Sequence, residues 1–211
     1  MIELFFNEFL STFPFHILAY VPFHKKLRHS PWKTFLWVCG FELGYLLLFL
    51  FLIQIGLSSV WVQYLALPCF GVLFKLIVDA ESGMILFLYL FIIDYLLVVR
   101  AAAFCICQAL FGYNFFSWET GLVTFLLVLC SIYFMAKAMT RTVEGLSSVS
   151  IPSFWNTAWL LPGSVTLILL LLTGNIRSGT ITVAALLARF MLLICMFLIS
   201  HFMILFIQQL R

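Results

Sequence analysis

Long, uninterrupted apolar segments dominate this sequence and restrict the folds that it can adopt. Hydrophobic residues make up 65% of the 211 residues and charged residues only 9%, whereas soluble domains carry about 25% charged residues. Such a chain cannot cover a water-facing surface with polar side chains, so a soluble domain is excluded, as is a disordered chain. The apolar segments are continuous rather than alternating, which excludes a transmembrane barrel and predicts membrane-spanning helices.

Seven apolar segments are present, and turn residues separate them. Each is about as long as a helix needs to be to cross a hydrocarbon core of about 30 Å. We therefore predict an all-α, polytopic transmembrane helix bundle of about seven spans, with residues 1–211 forming a single domain. The predicted spans are Ile2–Val21, Thr34–Gln54, Trp61–Val78, Met84–Phe104, Trp118–Ala138, Asn156–Thr173 and Thr180–Ile207.

The basic residues predict the orientation of the bundle, because short loops rich in Lys and Arg stay in the cytoplasm. If the N-terminus lies outside, most of the basic residues fall at cytoplasmic loops or span ends, and the outer connections hold only Arg177, with Arg100 nearby. We therefore predict an outer N-terminus and a cytoplasmic C-terminus. The residues on the cytoplasmic side are Lys25, Lys26, Arg28, Lys33, Lys75, Lys137, Arg141 and Arg211.

Three charged residues lie deep in the predicted spans. At a rise of about 1.5 Å per residue, Glu42 and Asp94 are about 12 Å and 15 Å from the inner face, and Arg189 is about 16 Å from it. A charge at this depth is costly and needs a partner or a function. We predict that the three side chains form a buried cluster. It would be either a polar clamp that fixes helix packing or a ligand, ion or switch site.

The first span carries a polar stripe. Glu8, Thr12 and His16 are four residues apart and therefore share one helix face, and Pro14 interrupts the helix beside them. Two interpretations are open: the stripe lines a water-accessible cavity, or it packs against neighbouring helices.

Two further patterns predict packing and anchoring. Gly40 and Gly44 form a small-x-x-x-small pattern that allows two helices to approach closely. Lys75 and Arg100 lie within about 9 Å of a predicted interface, and we interpret them as anchors whose long side chains reach the membrane surface.

No catalytic motif stands out. None of the four histidines has an acid or a second histidine at metal-ligand spacing within a helix, and no phosphate-binding Gly-rich loop with Lys and Ser or Thr is present. We therefore predict no catalytic residue, no metal, no cofactor and no nucleic-acid partner for this chain. The lipid bilayer is its expected environment.

Several short motifs occur in a characteristic order. A Pro-containing first span leads into the basic loop His24–Lys33, and later Trp155 and Trp159 begin a Trp-x-x-x-Trp-Leu-x-Pro pattern that ends at Pro162. In this layout the chain resembles the membrane sensor half of bacterial receptor histidine kinases with a GHKL-type ATPase domain, in the accessory-gene-regulator-like group. No phospho-acceptor His motif or ATP-binding motif follows the last span, so kinase activity is expected only if a further domain follows Arg211.

The resemblance implies a sensor in the bacterial cytoplasmic membrane, acting as a homodimer. It would detect an extracellular peptide or small molecule and relay the signal through the last span, which carries Arg189 and His201. Two other classes remain open. One is a small transporter or solute-binding membrane subunit that uses Glu42, Asp94 and Arg189 as a mid-bilayer site. The other is an intramembrane enzyme, which the missing motifs disfavour.

Overall fold

A computed structural model describes residues 2–57, 59–112, 115–147, 152–177 and 183–209. Almost all of these residues are helical, which confirms the all-α class. A short 3-10 segment, Val21–Lys26, follows the first helix. The α-helices are α1 (Ile2–Tyr20), α2 (Pro31–Gln54), α3 (Ser59–Ile77), α4 (Ser82–Phe111), α5 (Trp118–Ser147), α6 (Pro152–Ala158), α7 (Leu160–Arg177) and α8 (Val183–Gln209).

The predicted membrane character is confirmed. Within the described part of the chain, four helices are long and apolar enough to cross a bilayer: Pro31–Gln54, Ser82–Phe111, Trp118–Glu144 and Val183–Met203. Shorter apolar stretches occupy Leu65–Ile77 of α3 and Leu160–Leu172 of α7.

Local sequence signals explain where several helices begin and end. The Ser30 hydroxyl accepts a hydrogen bond from the Lys33 backbone N–H at the start of α2, where Pro31 takes the first helical position. Gly112 ends α4 in the left-handed conformation, with φ of 69°. The helix α4 therefore continues to Phe111, seven residues beyond the predicted end of its span at Phe104. The predicted sixth span is divided, because α6 ends at Ala158 and α7 begins at Leu160.

The helix α4 lies at the centre of the bundle. It contacts α1, α3, α5, α6, α7 and α8, so its side chains are buried on several faces. In contrast, α2 packs against α1 and α3, and α8 packs against α4, α5 and α7. The exposed faces of these outer helices are apolar, as a lipid-facing surface requires.

A close approach between the long helices α1 and α5 involves a glycine outside the predicted pattern. A Cβ atom at Gly121 of α5 would lie 2.8 Å from the Asn7 Cα atom and 2.9 Å from the Asn7 carbonyl oxygen of α1. At Gly40 and Gly44, a Cβ atom would meet nothing within 4 Å. The predicted close contact at Gly40 and Gly44 is therefore absent within the described chain, because α2 packs through its other face.

The connections at one end of the bundle are joined by backbone hydrogen bonds and by an ion pair. The Arg28 N–H donates to the Ile77 carbonyl at 2.9 Å, and the Asp79 N–H donates to the Lys26 carbonyl at 2.8 Å. The Lys25 ammonium lies 3.0 Å from the Glu144 carboxylate of α5. We call this end, formed by residues 21–30, 78–81 and 141–144, the basic end.

Candidate functional site

The polar stripe of α1 faces the interior of the bundle. Glu8 is 1% exposed and Thr12 7% exposed, and His16 is partly buried. All three side chains line one cavity and also contact residues of neighbouring helices. The same face of α1 therefore packs against neighbouring helices and borders a cavity.

The Glu8 carboxylate is the point at which four helices meet. The Arg100 guanidinium of α4 lies 3.2 Å from Glu8 Oε2. The Tyr45 hydroxyl of α2 donates to Oε1 at 2.9 Å, and the Gln63 amide of α3 donates to Oε2 at 2.8 Å. The guanidinium and the two further hydrogen-bond donors replace most of the interactions with water that the carboxylate loses when it is buried. This group of four side chains is called the Glu8 site below.

The Arg100 side chain is also held from α1 and from the segment before α5. Its Nη2 atom lies 3.4 Å from Asn7 Oδ1, and its guanidinium carbon lies 5.1 Å from the centre of the Phe115 ring. The Asn7 amide in turn donates to the Ser117 carbonyl at 2.6 Å. The predicted role of Arg100 as an interface anchor is therefore wrong. Because α4 continues to Phe111, Arg100 lies about 16 Å from the helix end.

A second polar group continues the stripe toward the middle of the bundle. The Thr12 hydroxyl lies 2.5 Å from Glu42 Oε1 and 2.7 Å from the Glu8 backbone carbonyl. A hydroxyl has one proton, so Thr12 can donate to only one of these two oxygens at a time. His16 Nδ1 lies 2.5 Å from Glu42 Oε2, and the imidazole ring stacks on Phe70 with 3.8 Å between ring centres.

One narrow cavity connects the two polar groups. Its volume is about 90 Å³, above the roughly 10–15 Å³ that a cavity needs to hold one water molecule. Glu8, Tyr45, Gln63 and Arg100 line one part, and apolar residues such as Ala19, Phe70 and Ile92 line the rest. The cavity can therefore hold water or a small polar group beside an ion pair in otherwise apolar surroundings.

The predicted cluster of Glu42, Asp94 and Arg189 is not formed. Asp94 is fully buried, and its Oδ1 lies 2.5 Å from the Thr166 hydroxyl of α7. Arg189 is 2% exposed, and its Nη2 donates to the Leu172 carbonyl of α7 at 2.6 Å. Glu42 faces α1 instead. The prediction rested on depth, and depth does not determine the direction in which a helix presents a side chain.

Arg189 and Asp94 should consequently contribute to stability independently. We expect the effects of Arg189→Leu and Asp94→Leu on the free energy of unfolding to add within about 0.5 kcal/mol, as they do for residues without a shared partner. Unfolding of the single and double variants in mixed detergent micelles measures this. A double variant clearly more stable than the sum of the two single effects predicts would show that the two charges are paired after all.

His201 lies away from the Glu8 site. It is exposed on α8 and lines a different cavity, between α4, α5 and α8. No group of three His, Cys, Asp or Glu residues able to hold a metal ion occurs in the described ranges.

Sequence reasoning did not place Tyr45, Gln63 or Asn7 in a site. Tyr45 and Gln63 are polar residues in apolar segments, and such residues are common in membrane helices, where they bond to neighbouring helices. Asn7 is next to Glu8 in α1 but lies off the face of the polar stripe. For Glu8, the sequence did contain a signal: α1 has no Lys or Arg. A buried Glu8 carboxylate therefore needs a partner from elsewhere in the chain.

Comparisons of the chain with protein-family models, with curated proteins and with solved structures gave no match. The resemblance to receptor histidine kinases therefore rests on the sequence motifs and stays a prediction. What is established for the chain is an all-α architecture with membrane-type helices.

Proposed function

We propose that this chain is the transmembrane sensor module of a GHKL-type receptor histidine kinase. In this proposal the bundle has about seven spans in the bacterial cytoplasmic membrane, its N-terminus is outside, and the basic end faces the cytoplasm. The observation that carries the proposal is the position of α4, which holds the Glu8 site on one side and the last helix on another.

The Glu8 site lies on the side of the bundle opposite the basic end. Asn7 bonds to Ser117 at the start of α5, whereas Lys25 pairs with Glu144 in the last turns of α5. If the basic end is cytoplasmic, as the distribution of Lys and Arg favours, the Glu8 site is nearer the outer face. An extracellular signal that changes the pairing of Glu8 and Arg100 would then act directly on α4.

The contact between α4 and α8 supports a route for the signal. The Phe91 ring of α4 and the Phe197 ring of α8 are 4.5 Å apart between centres and meet edge to face. A shift or rotation of α4 would therefore be transmitted to α8 through this ring contact. Since α8 ends the described chain on the side of the basic end, its movement could reach a cytoplasmic kinase region.

The proposal is testable by fusing the full chain to the cytoplasmic region of a GHKL-type kinase and measuring autophosphorylation in membrane vesicles. We expect Glu8→Gln to change the rate several-fold, because it removes the charge that Arg100 compensates. Adding Phe197→Ala should abolish most of that change, because it removes the ring that links α8 to α4.

Phe202→Ala is the matched control, since Phe202 is also on α8 but is 64% exposed. It should leave the response to Glu8→Gln intact. Equal autophosphorylation by the correctly inserted parent and Glu8→Gln fusions would contradict the proposal.

The transporter alternative has lost its main support. It required Glu42, Asp94 and Arg189 at one mid-bilayer site, but these side chains bond to different partners. No other feature of the described residues favours it over the sensor.

A further inference from the structure

A second cavity lies between α4, α5 and α8, close to the basic end. Its volume is about 430 Å³, within the range of about 300–1,000 Å³ that is typical of small-molecule sites. Its inner wall is apolar and aromatic, with Phe87 and Phe91 from α4 and Phe197 from α8. It is separate from the Glu8 site, but its wall includes Phe91 and Phe197, the ring pair that links α4 to α8 in the function proposed above.

Polar and basic groups line another part of this cavity. Arg141 of α5 and His201 of α8 both border it, and Arg141 makes no ion pair with a carboxylate of the described residues. The Ser200 side chain also lines the cavity, is 6% exposed, and has a hydroxyl group without a hydrogen-bond partner. An unpaired guanidinium, an imidazole and a buried hydroxyl together suit a ligand with an anionic, oxygen-rich group.

The cavity lies at the depth of a lipid headgroup. Arg141 is within one helical turn of Glu144, which pairs with the loop that follows α1. His201 is 18 residues from the start of α8, or about 27 Å along the helix, which approaches the thickness of a hydrocarbon core. The basic groups therefore lie near the membrane surface, and the aromatic wall lies deeper.

We propose that this cavity binds one anionic phospholipid from the leaflet that faces the basic end. The phosphate accepts hydrogen bonds from Arg141 and His201, and an acyl chain packs along Phe91 and Phe197. Basic pockets between transmembrane helices are known to hold anionic headgroups. Free phosphate has the same headgroup chemistry, but it would leave the apolar wall unoccupied.

Native mass spectrometry of the full chain in a neutral detergent tests the proposal. Phosphatidylglycerol is titrated in, and phosphatidylcholine with the same acyl chains and water-soluble glycerol phosphate are titrated separately. We expect one saturable phosphatidylglycerol adduct. Phosphatidylcholine and glycerol phosphate should each bind at least tenfold more weakly, because one lacks the net charge and the other lacks the acyl chains.

Two variants locate the site. Arg141→Gln should weaken phosphatidylglycerol binding about fivefold, in line with the contribution of about 1 kcal/mol per basic residue. Lys137→Gln is the matched control, because it removes the same positive charge one helical turn away. The Lys137 side chain lies over the Tyr133 ring and outside the cavity. It should leave the affinity unchanged.

Three results would overturn the proposal. Equal binding of phosphatidylglycerol and phosphatidylcholine would show that the headgroup charge is not recognised. Equal effects of Arg141→Gln and Lys137→Gln would show that the cavity is not the site. Glycerol phosphate binding as tight as that of the lipid would indicate a free-anion site.

Discussion

Replacing Arg100 with leucine is expected to lower the free energy of unfolding by about 3–5 kcal/mol, the usual effect of removing one partner of a buried ion pair. Glu8 is 1% exposed and Arg100 8% exposed, and the few water molecules that the adjoining cavity can hold carry no counter-charge to replace the lost guanidinium. Tyr45 and Gln63 would still donate to the carboxylate, but neither neutralises its charge. Unfolding in mixed micelles of neutral and denaturing detergent gives the difference.

Two further variants separate a charge effect from a loss of packing. Glu8→Leu combined with Arg100→Leu should be closer in stability to the parent than Arg100→Leu alone, because no charge is left buried. Arg28→Leu is the matched control, since Arg28 also pairs with an acid, Asp79, but both side chains are exposed. It should cost at most about 1 kcal/mol. A loss no larger for Arg100→Leu than for Arg28→Leu would mean that the Glu8 site does not stabilise the bundle.

Gly121→Ala is expected to lower the free energy of unfolding. Among substitutions that add one methyl group to the described residues of the α1–α5 contact, we expect it to have the largest effect. The new Cβ atom would lie 2.8 Å from the Asn7 Cα atom, and this backbone atom cannot move without shifting α1. Overpacking of this kind costs about 1–3 kcal/mol. A shift of α1 would also disturb Glu8, one residue after Asn7, so the loss should exceed that expected from packing alone.

Gly40→Ala provides the comparison for this change. It adds the same methyl group within a helix but meets nothing within 4 Å, and it gains the same helix propensity of up to about 1 kcal/mol. We expect it to be neutral or stabilising in the same micelle unfolding assay. If both alanine variants have the same stability, the close approach of α1 and α5 is not important for the fold.

The positions of the apolar helices could be predicted from the sequence because each helix must be apolar over most of its length to lie in lipid. The start of α2 follows from Ser30 and Pro31, and the end of α4 at Gly112 could have been read from that glycine. The division of the predicted sixth span falls between α6, which carries Ser153, Asn156 and Thr157, and the apolar stretch Leu160–Leu172 of α7.

The partners of the buried charges were harder to predict. Depth along a helix correctly indicated that Glu42, Asp94 and Arg189 are buried, but it gave no information about rotation around the helix axis. Asp94 faces Thr166 on α7, whereas Glu42 faces Thr12 and His16 on α1. Pairing therefore depends on which helices are neighbours, and an apolar helix carries few signals that identify its neighbour.

By itself, the sequence determined that this protein is a bundle of membrane-type helices and that α1 carries a polar face, because hydrophobicity and the helical repeat are local properties of the chain. Only the tertiary structure decided that Glu8 pairs with Arg100, 92 residues later, and that Gly121, rather than Gly40 or Gly44, allows two helices to touch. These contacts depend on the order and rotation of helices in the bundle, which arise from packing among all of them at once.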